Sequence, residues 1–234
     1  MIITTRKHSY FVNELSTVEL GSTVLDLENN KIRLHMDPVT AIESFEELAE
    51  VILTGGDVVV TESIDAPSAF VVTADTKIVN NAEITVIEDT VGDGVFCVAA
   101  GTLTLDGSGT INGVGKNKWN MAVWAKDNGK VVINDGLFTN VGAVDIDDPA
   151  HFDLIYASGY AQVEINGGEF KCETPAWTLN IKDKDRATAS IVVKGGKFHG
   201  FNPADCASEG EHTNFVAPGY KVVEENNVFT VIAE

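Results

Sequence analysis

The sequence contains only three cysteines, and no pair has the C-x-x-C spacing of a zinc site. Cys97, Cys172 and Cys206 are an odd number of widely spaced residues, so we expect buried free thiols rather than a disulfide framework. No run approaches the roughly 18 apolar residues that a membrane-spanning helix requires. The opening residues, MIITTRKHSY, hold no apolar segment of signal-peptide length. We therefore expect the chain to stay in the cytoplasm or to leave it by lysis or a dedicated machine.

Basic residues are also scarce. The chain has 16 Lys and Arg against 35 Asp and Glu, which gives a net charge of −19 at pH 7. Such a chain repels nucleic acid and anionic membranes, so neither is an expected partner, whereas the charge is compatible with a basic protein surface as partner. The 234 residues are 44% hydrophobic, which predicts one large domain, or one domain with a short arm, around a buried core.

One pattern recurs along the chain. It begins at Gly129 with GKVVINDGLFTN, at Ala161 with AQVEINGGEFKC and at Ala189 with ASIVVKGGKFHG. Each copy has two apolar positions separated by one residue, then a glycine, then a phenylalanine two residues later. The phenylalanines are Phe138, Phe170 and Phe198, at steps of 32 and 28 residues. TLTLDGSGTING and TKIVNNAEIT are weaker copies.

Each copy is typical of a strand, a tight turn and a second strand. A further short strand is predicted between copies, at FCVAA, MAVWA, LIYAS and WTLNI. Three strands in about 25–30 residues indicate a solenoid, and the strand content favours a parallel β-helix over helical or leucine-rich repeats and propeller blades. We therefore predict an all-β, right-handed parallel β-helix over residues 40–234. The repeated phenylalanines should stack inside it.

Both ends of this solenoid are expected to be covered. SFEELAEVILT predicts a helix over the first coil, because Ser44 and Glu47 have capping-box spacing and Gly55 follows the last apolar residue. GYKVVEENNVFTVIAE predicts a C-terminal β-hairpin cap that turns near Asn226.

Residues 1–39 carry no copy of the repeat. They contain a small basic cluster, Arg6, Lys7 and His8, and a strand-like alternation in STVELGSTVLDL. Two interpretations remain open: an anchoring or assembly arm, and an extra sheet packed on the first coil.

Several phrases resemble β-helical proteins encoded by tailed bacteriophages, commonly head-fibre or capsid-decoration proteins. They are GGKFHGFNP, EGEHTNFVAPGYKVV, the final FTVI and FEELAEVILTGGDVVV. The resemblance covers residues 40–234 and implies a non-enzymatic virion structural protein on the capsid surface, made in the host cytoplasm. It also implies contacts with capsid or other virion proteins, homo-oligomers with trimers among them, and contact with a host surface glycan. Tailspikes and pectin-degrading enzymes have a similar architecture, so the fold alone does not decide the function.

The densest group of candidate chemical residues is DIDDPAHFD. It holds Asp145, Asp147, Asp148, His151 and Asp153. If the stretch is extended, Asp145 and Asp147 lie on one face, where they can bind Ca²⁺ or act as an acid/base pair. The stretch contains Pro149 and lengthens one copy of the repeat, so a solvated loop is the favoured interpretation.

Other motifs are expected to be structural. KDKDRAT, from Lys182, is predicted to be a solvated corner, and nothing ties its Arg186 to the acidic stretch. The histidines form no metal-binding pair, and His199 is predicted to point outward. Gly107, Gly109 and Gly113 lack the following helix of a dinucleotide site, and Lys116 is not followed by Ser or Thr.

The three tryptophans are Trp119, Trp124 and Trp177. Packing in the core or an interface is the favoured interpretation, because exposed aromatics that stack on sugars are the rarer use. We therefore predict no catalytic, cofactor-binding or metal-binding residue. Two alternatives are kept: a polysaccharide lyase or glycosidase with its site at residues 145–153, and a glycan-binding adhesin that uses Trp124 or Trp177.

Overall fold

The computed structural model describes residues 40–87, 93–114, 121–143, 152–206 and 213–234, together with four strands among the first 39 residues. The chain divides into two compact units, Met1–Val39 and Thr40–Glu234. In the first unit, β1 Ile2–Thr4 pairs antiparallel with β2 Ser9–Phe11, and β3 Val24–Glu28 pairs antiparallel with β4 Lys31–His35. β3 lies in the second half of the alternating stretch STVELGSTVLDL.

The second unit starts with β5 Thr40–Ile42 and the helix α1 Phe45–Thr54. The strands that follow are β6 Gly56–Val60, β7 Ile64–Ala66, β8 Phe70–Val72, β9 Thr76–Asn80, β10 Glu83–Val86, β11 Phe96–Val98, β12 Thr102–Asp106, β13 Thr110–Asn112, β14 Val123–Ala125, β15 Lys130–Ile133, β16 Leu137–Thr139, β17 Ile155–Ala157, β18 Gln162–Ile165, β19 Glu169–Lys171, β20 Leu179–Ile181, β21 Ser190–Val193, β22 Gly196–His199, β23 Tyr220–Glu225 and β24 Val228–Ala233. Short 3₁₀ helices occupy Pro175–Trp177 and Asp183–Asp185.

From β6 onward the chain visits three sheets in turn. In spatial order, the first sheet is β5-β6-β9-β12-β15-β18-β21, the second is β7-β10-β13-β16-β19-β22-β24-β23, and the third is β8-β11-β14-β17-β20. We call three consecutive strands, one in each sheet, a round. Pairing between rounds is parallel, whereas β24 and β23 join the second sheet antiparallel. The all-β class with extensive parallel pairing, predicted from the repeat, is confirmed.

Equivalent residues of successive rounds lie opposite each other. Phe138 pairs with Phe170, and Phe170 pairs with Phe198. All three side chains are fully buried, and their rings are stacked. The predicted interior aromatic row is therefore confirmed, and burial of each ring contributes about 2 kcal/mol.

The helix α1 forms where the capping residues predict it. The Ser44 side chain accepts a hydrogen bond from the backbone N–H of Glu47, and Gly55, whose φ is 82°, follows the last helical residue. Leu48 is fully buried, and the ring of Phe45 lies 5.0 Å from that of Phe70 in β8. The helix therefore packs on the first round. Within the described ranges, no helix is long and apolar enough to cross a membrane.

Two details differ from the sequence predictions. The strand β5 precedes α1 and pairs parallel with β6, so the first sheet begins before the helix. WTLNI was predicted as a strand from Trp177, but Pro175 begins a 3₁₀ helix that contains Trp177, and strand β20 begins at Leu179.

The terminal hairpin is confirmed. β23 pairs with β24 along its length, and the turn residues Asn226 and Asn227 have φ angles of 52° and 62°. Two such residues form the turn that best matches the twist of the flanking strands.

Candidate functional site

An open groove of about 390 Å³ lies at the corner where first-sheet strands turn into the second sheet. Asp135, Glu169 and Lys197 supply its charged groups, and Leu137 and Thr230 also line it. We call it the glycine groove, because backbone from successive Gly-containing turns lines it.

The groove follows from the repeated turn. Gly136, Gly168 and Gly196 have φ angles of 118°, 94° and 103°, a region that side chains other than glycine rarely adopt. A Cβ on Gly195 would overlap with the Asn166 carbonyl oxygen. The turns therefore stack with no side chain between them, and this leaves a recess along the corner.

The charged residue Glu169, in this groove, contacts two basic side chains. Its Oε1 lies 2.7 Å from Lys171 Nζ and 2.7 Å from His199 Nε2. The hydrogen bond from Lys171 lowers the pKa of Glu169 most, against partial burial, and His199 adds to the lowering. Glu169 is therefore held as a carboxylate.

A second carboxylate behaves in the same way. Glu164 Oε2 lies 2.7 Å from Lys194 Nζ, and this hydrogen bond lowers the pKa of Glu164. A glycosidase needs a general acid with a raised pKa. In the described part of the chain, the carboxylates with a shifted pKa are Glu164 and Glu169, and both pKa values are lowered. The groove therefore offers fixed charges suited to binding, and Glu169 is poorly suited to donate a proton.

Aromatic side chains line up on the outer face of the third sheet. Trp124 and Tyr156 lie opposite each other in the ladder, with ring centroids 6.2 Å apart and planes inclined by 42°. Trp124 Nε1 donates to Ser158 Oγ, and Lys126 Nζ lies 4.7 Å from the Trp124 ring. Tyr156 is only 8% exposed. These two rings do not form the coplanar, exposed pair that a sugar-stacking platform requires.

No known protein family, curated protein or solved structure matches this chain.

Most of the predicted acidic cluster lies outside the described residues, namely Asp145, Asp147, Asp148 and His151. Trp119 and Lys116 also lie outside them. Asp153 is described, and its Oδ1 accepts a hydrogen bond from Asn180 Nδ2 at 2.7 Å. Within the described ranges, no three His, Cys, Asp or Glu side chains are grouped to hold a metal ion.

The corner predicted at KDKDRAT is confirmed. KDKDRAT contains the 3₁₀ helix Asp183–Asp185, and Arg186 Nη2 lies 2.9 Å from Asp183 Oδ1. Gly107 lies in the turn between β12 and β13, with a φ of 94°. His199 points outward, as predicted, and is part of the Glu169 cluster.

The Glu169, Lys171 and His199 cluster was not predicted from the sequence. Aligning the repeat copies places Lys171 and His199 at the same position, directly after the stacked phenylalanines. Glu169 lies on the same face, two residues before Lys171. This alternation is the signal that would have revealed the cluster.

Proposed function

We propose that residues 40–234 form a right-handed parallel β-helix. The support is the order in which the chain visits three sheets, and the register in which equivalent residues pair from round to round. The right-handed sense follows the strong preference of parallel crossover connections. A solenoid of this kind is stiff, because each round is hydrogen-bonded to its neighbours through three ladders.

We propose further that the protein is a non-enzymatic structural component of a bacteriophage virion, a head fibre or capsid decoration protein that projects from the capsid. The observation that carries this proposal is the continuity of one buried core from α1 to the terminal hairpin. Nearly all the repeated positions of the sequence lie in this core or in the turns between its strands. The resemblance of its phrases to phage-encoded β-helical proteins supports the same function.

In this proposal, residues 1–39 anchor the protein to the capsid or to another virion protein, and the acidic surface faces solvent or a host glycan. The protein is made in the host cytoplasm and assembles as a homo-oligomer. The net charge of −19 suits a surface that must stay soluble and resist non-specific adhesion.

The test uses particles of a phage whose genome carries this gene. Antibodies against the full chain should label the capsid of gradient-purified particles, and mass spectrometry should find its peptides there at a fixed ratio to the major capsid protein. Full-length protein should bind particles that lack it, and a chain of residues 40–234 should not. Recovery of the protein only in the soluble lysate would contradict the proposal.

A second assay addresses enzymatic activity. The full chain is incubated with acidic and neutral polysaccharides, and both new reducing ends and the ultraviolet absorbance of unsaturated products are followed. No turnover is expected. Turnover that is lost in Glu169→Gln but kept in Lys126→Met would establish a carbohydrate-active enzyme with its site in the glycine groove.

A further inference from the structure

The strand β23 ends the second sheet, and no described strand lies beyond it. It is six residues long, and an edge of this length offers unpaired backbone groups to another strand. Proteins usually shorten, cover or charge such an edge, because it is a template for pairing.

The direction of the backbone groups follows from the hairpin register. The N–H of Glu234 donates to the carbonyl of Gly219, and the hairpin closes in a two-residue turn. Hydrogen-bonded and non-hydrogen-bonded pairs alternate along antiparallel strands. Lys221, Val223 and Glu225 therefore bond to β24, and the backbone groups of Val222 and Glu224 point to the outer edge.

The side chains of β23 divide between two faces. Tyr220 and Val222 pack against the core. Lys221, Val223 and Glu225 lie on the opposite face, where Val223 is 46% exposed. Ile232, opposite Lys221 in β24, is 41% exposed on the same face. An exposed aliphatic patch therefore adjoins an open strand edge.

We propose that this edge pairs antiparallel with β23 of a second copy of the chain, about a two-fold axis through Val223. In a symmetric pair the same patch serves both copies, so its charges must complement themselves. In this register Val223 lies opposite Val223 of the second copy. Lys221 lies opposite Glu225 of the second copy, and the same contact recurs on the other side of the axis.

The backbone geometry fits this register. The outward groups of Val222 meet those of Glu224 in the second copy, which forms a hydrogen-bonded pair on each side of the axis. Val223 is then a non-hydrogen-bonded pair, in which side chains approach most closely. A register centred on Val222 places Lys221 opposite Val223, and one centred on Glu224 places Glu225 opposite Val223. Of these three registers, only the one centred on Val223 places Lys221 opposite Glu225 and also places the two Val223 side chains opposite each other.

This inference does not depend on the proposed virion function, and the two can fail separately. Absence from particles would leave edge pairing intact. Loss of edge pairing would leave localisation to the capsid intact.

The first experiment is disulfide trapping with the full chain carrying Val223→Cys. The Cα atoms of a non-hydrogen-bonded pair are about 4.5 Å apart, which a disulfide can span. The three native cysteines are buried and do not compete. Mild oxidation should convert most of the protein to a covalent dimer. Glu224→Cys is the matched control, because its side chain lies opposite Val222 of the second copy, and it should stay uncrosslinked.

The second experiment is sedimentation velocity at physiological ionic strength, where charges further apart than about 8 Å are largely screened. Lys221→Glu and Glu225→Lys should each weaken dimerisation by about tenfold, since two surface ion pairs become like-charge contacts. The double variant should restore it. A monomeric wild-type chain, or an oligomer unaffected by these changes and untrapped by Val223→Cys, would overturn the proposal.

Discussion

The ring of Phe170 lies 4.7 Å from the ring of Phe198, and the two ring planes are 7° apart. Nearly parallel rings at this separation match the offset stacking that aromatic pairs favour. Phe170 is paired in register with Phe198, and with Phe138 on its other side. One position of the repeat thus produces a continuous row of rings.

Replacement of the middle ring should be costly. We expect Phe170→Ala to lower the free energy of unfolding by about 3–5 kcal/mol, because the cavity would have fully buried neighbours on both sides. Lys171→Ala, on the outer face of the same strand, should change it by about 1 kcal/mol or less. Urea denaturation followed by circular dichroism measures both. Equal effects of the two substitutions would contradict the stacked interior row.

The contribution of Glu169 should depend on pH. Lys171, and to a smaller extent His199, lower the pKa of Glu169 in the folded state. The stabilisation is therefore present above the glutamate pKa of the unfolded chain, about 4.3, and is lost as pH falls through the lower folded-state value. The difference in unfolding free energy between the wild type and Glu169→Gln should be largest near neutral pH and vanish in acid. In a Lys171→Met background, the difference at neutral pH should shrink.

Two glycines should respond differently to alanine. At Gly195 the added Cβ meets the backbone carbonyl of Asn166, which cannot rotate away. At Gly219, where φ is 83°, nothing lies within 4 Å, so only the backbone conformation opposes a side chain. We expect a loss of about 3 kcal/mol for Gly195→Ala and about 1 kcal/mol for Gly219→Ala. Thermal unfolding at matched concentrations compares them, and the reverse order would argue against close stacking of the turns.

The cysteines should be unreactive towards thiol reagents in the folded protein. Burial raises the pKa of Cys172 to about 12, and its Sγ lies 3.0 Å from the Phe152 carbonyl oxygen. Burial also raises the pKa of Cys97. A thiol-specific chromophore should react with none of the three cysteines in native protein at mildly alkaline pH, and with all three in denaturant. Fast labelling of Cys172 without denaturant would contradict its burial.

The parts of the fold that were predicted correctly are those encoded locally. The Gly-x-Phe spacing around Phe138 and Phe170 sets both the corner and the inward ring, and each copy repeats that information. The helix α1 was predicted because Ser44 and Gly55 mark its two ends. Neither feature depends on which distant strand becomes a neighbour.

The missed features depend on contacts between rounds. β5 is three residues long, and its strand conformation comes from pairing with β6 across the whole of α1. The Glu169 cluster joins side chains of β19 and β22, and only the register fixes their distance. Trp177 is an exception, because its signal is local: the alternation of WTLNI resembles a strand, but the preceding Pro175 favours a helical turn.

The register of the rounds also determines how the length of this unit can change. Neighbouring strands of a sheet are about 4.8 Å apart, so each added round would extend the three sheets of residues 40–234 by about that distance. Removal of residues 162–189 would place β21 against β15 and Phe198 against Phe138, with every inward position still facing an equivalent one. Duplication of the same segment would add one round. Whole segments can therefore be duplicated or deleted during evolution to change the length of this unit, and the core positions stay the same.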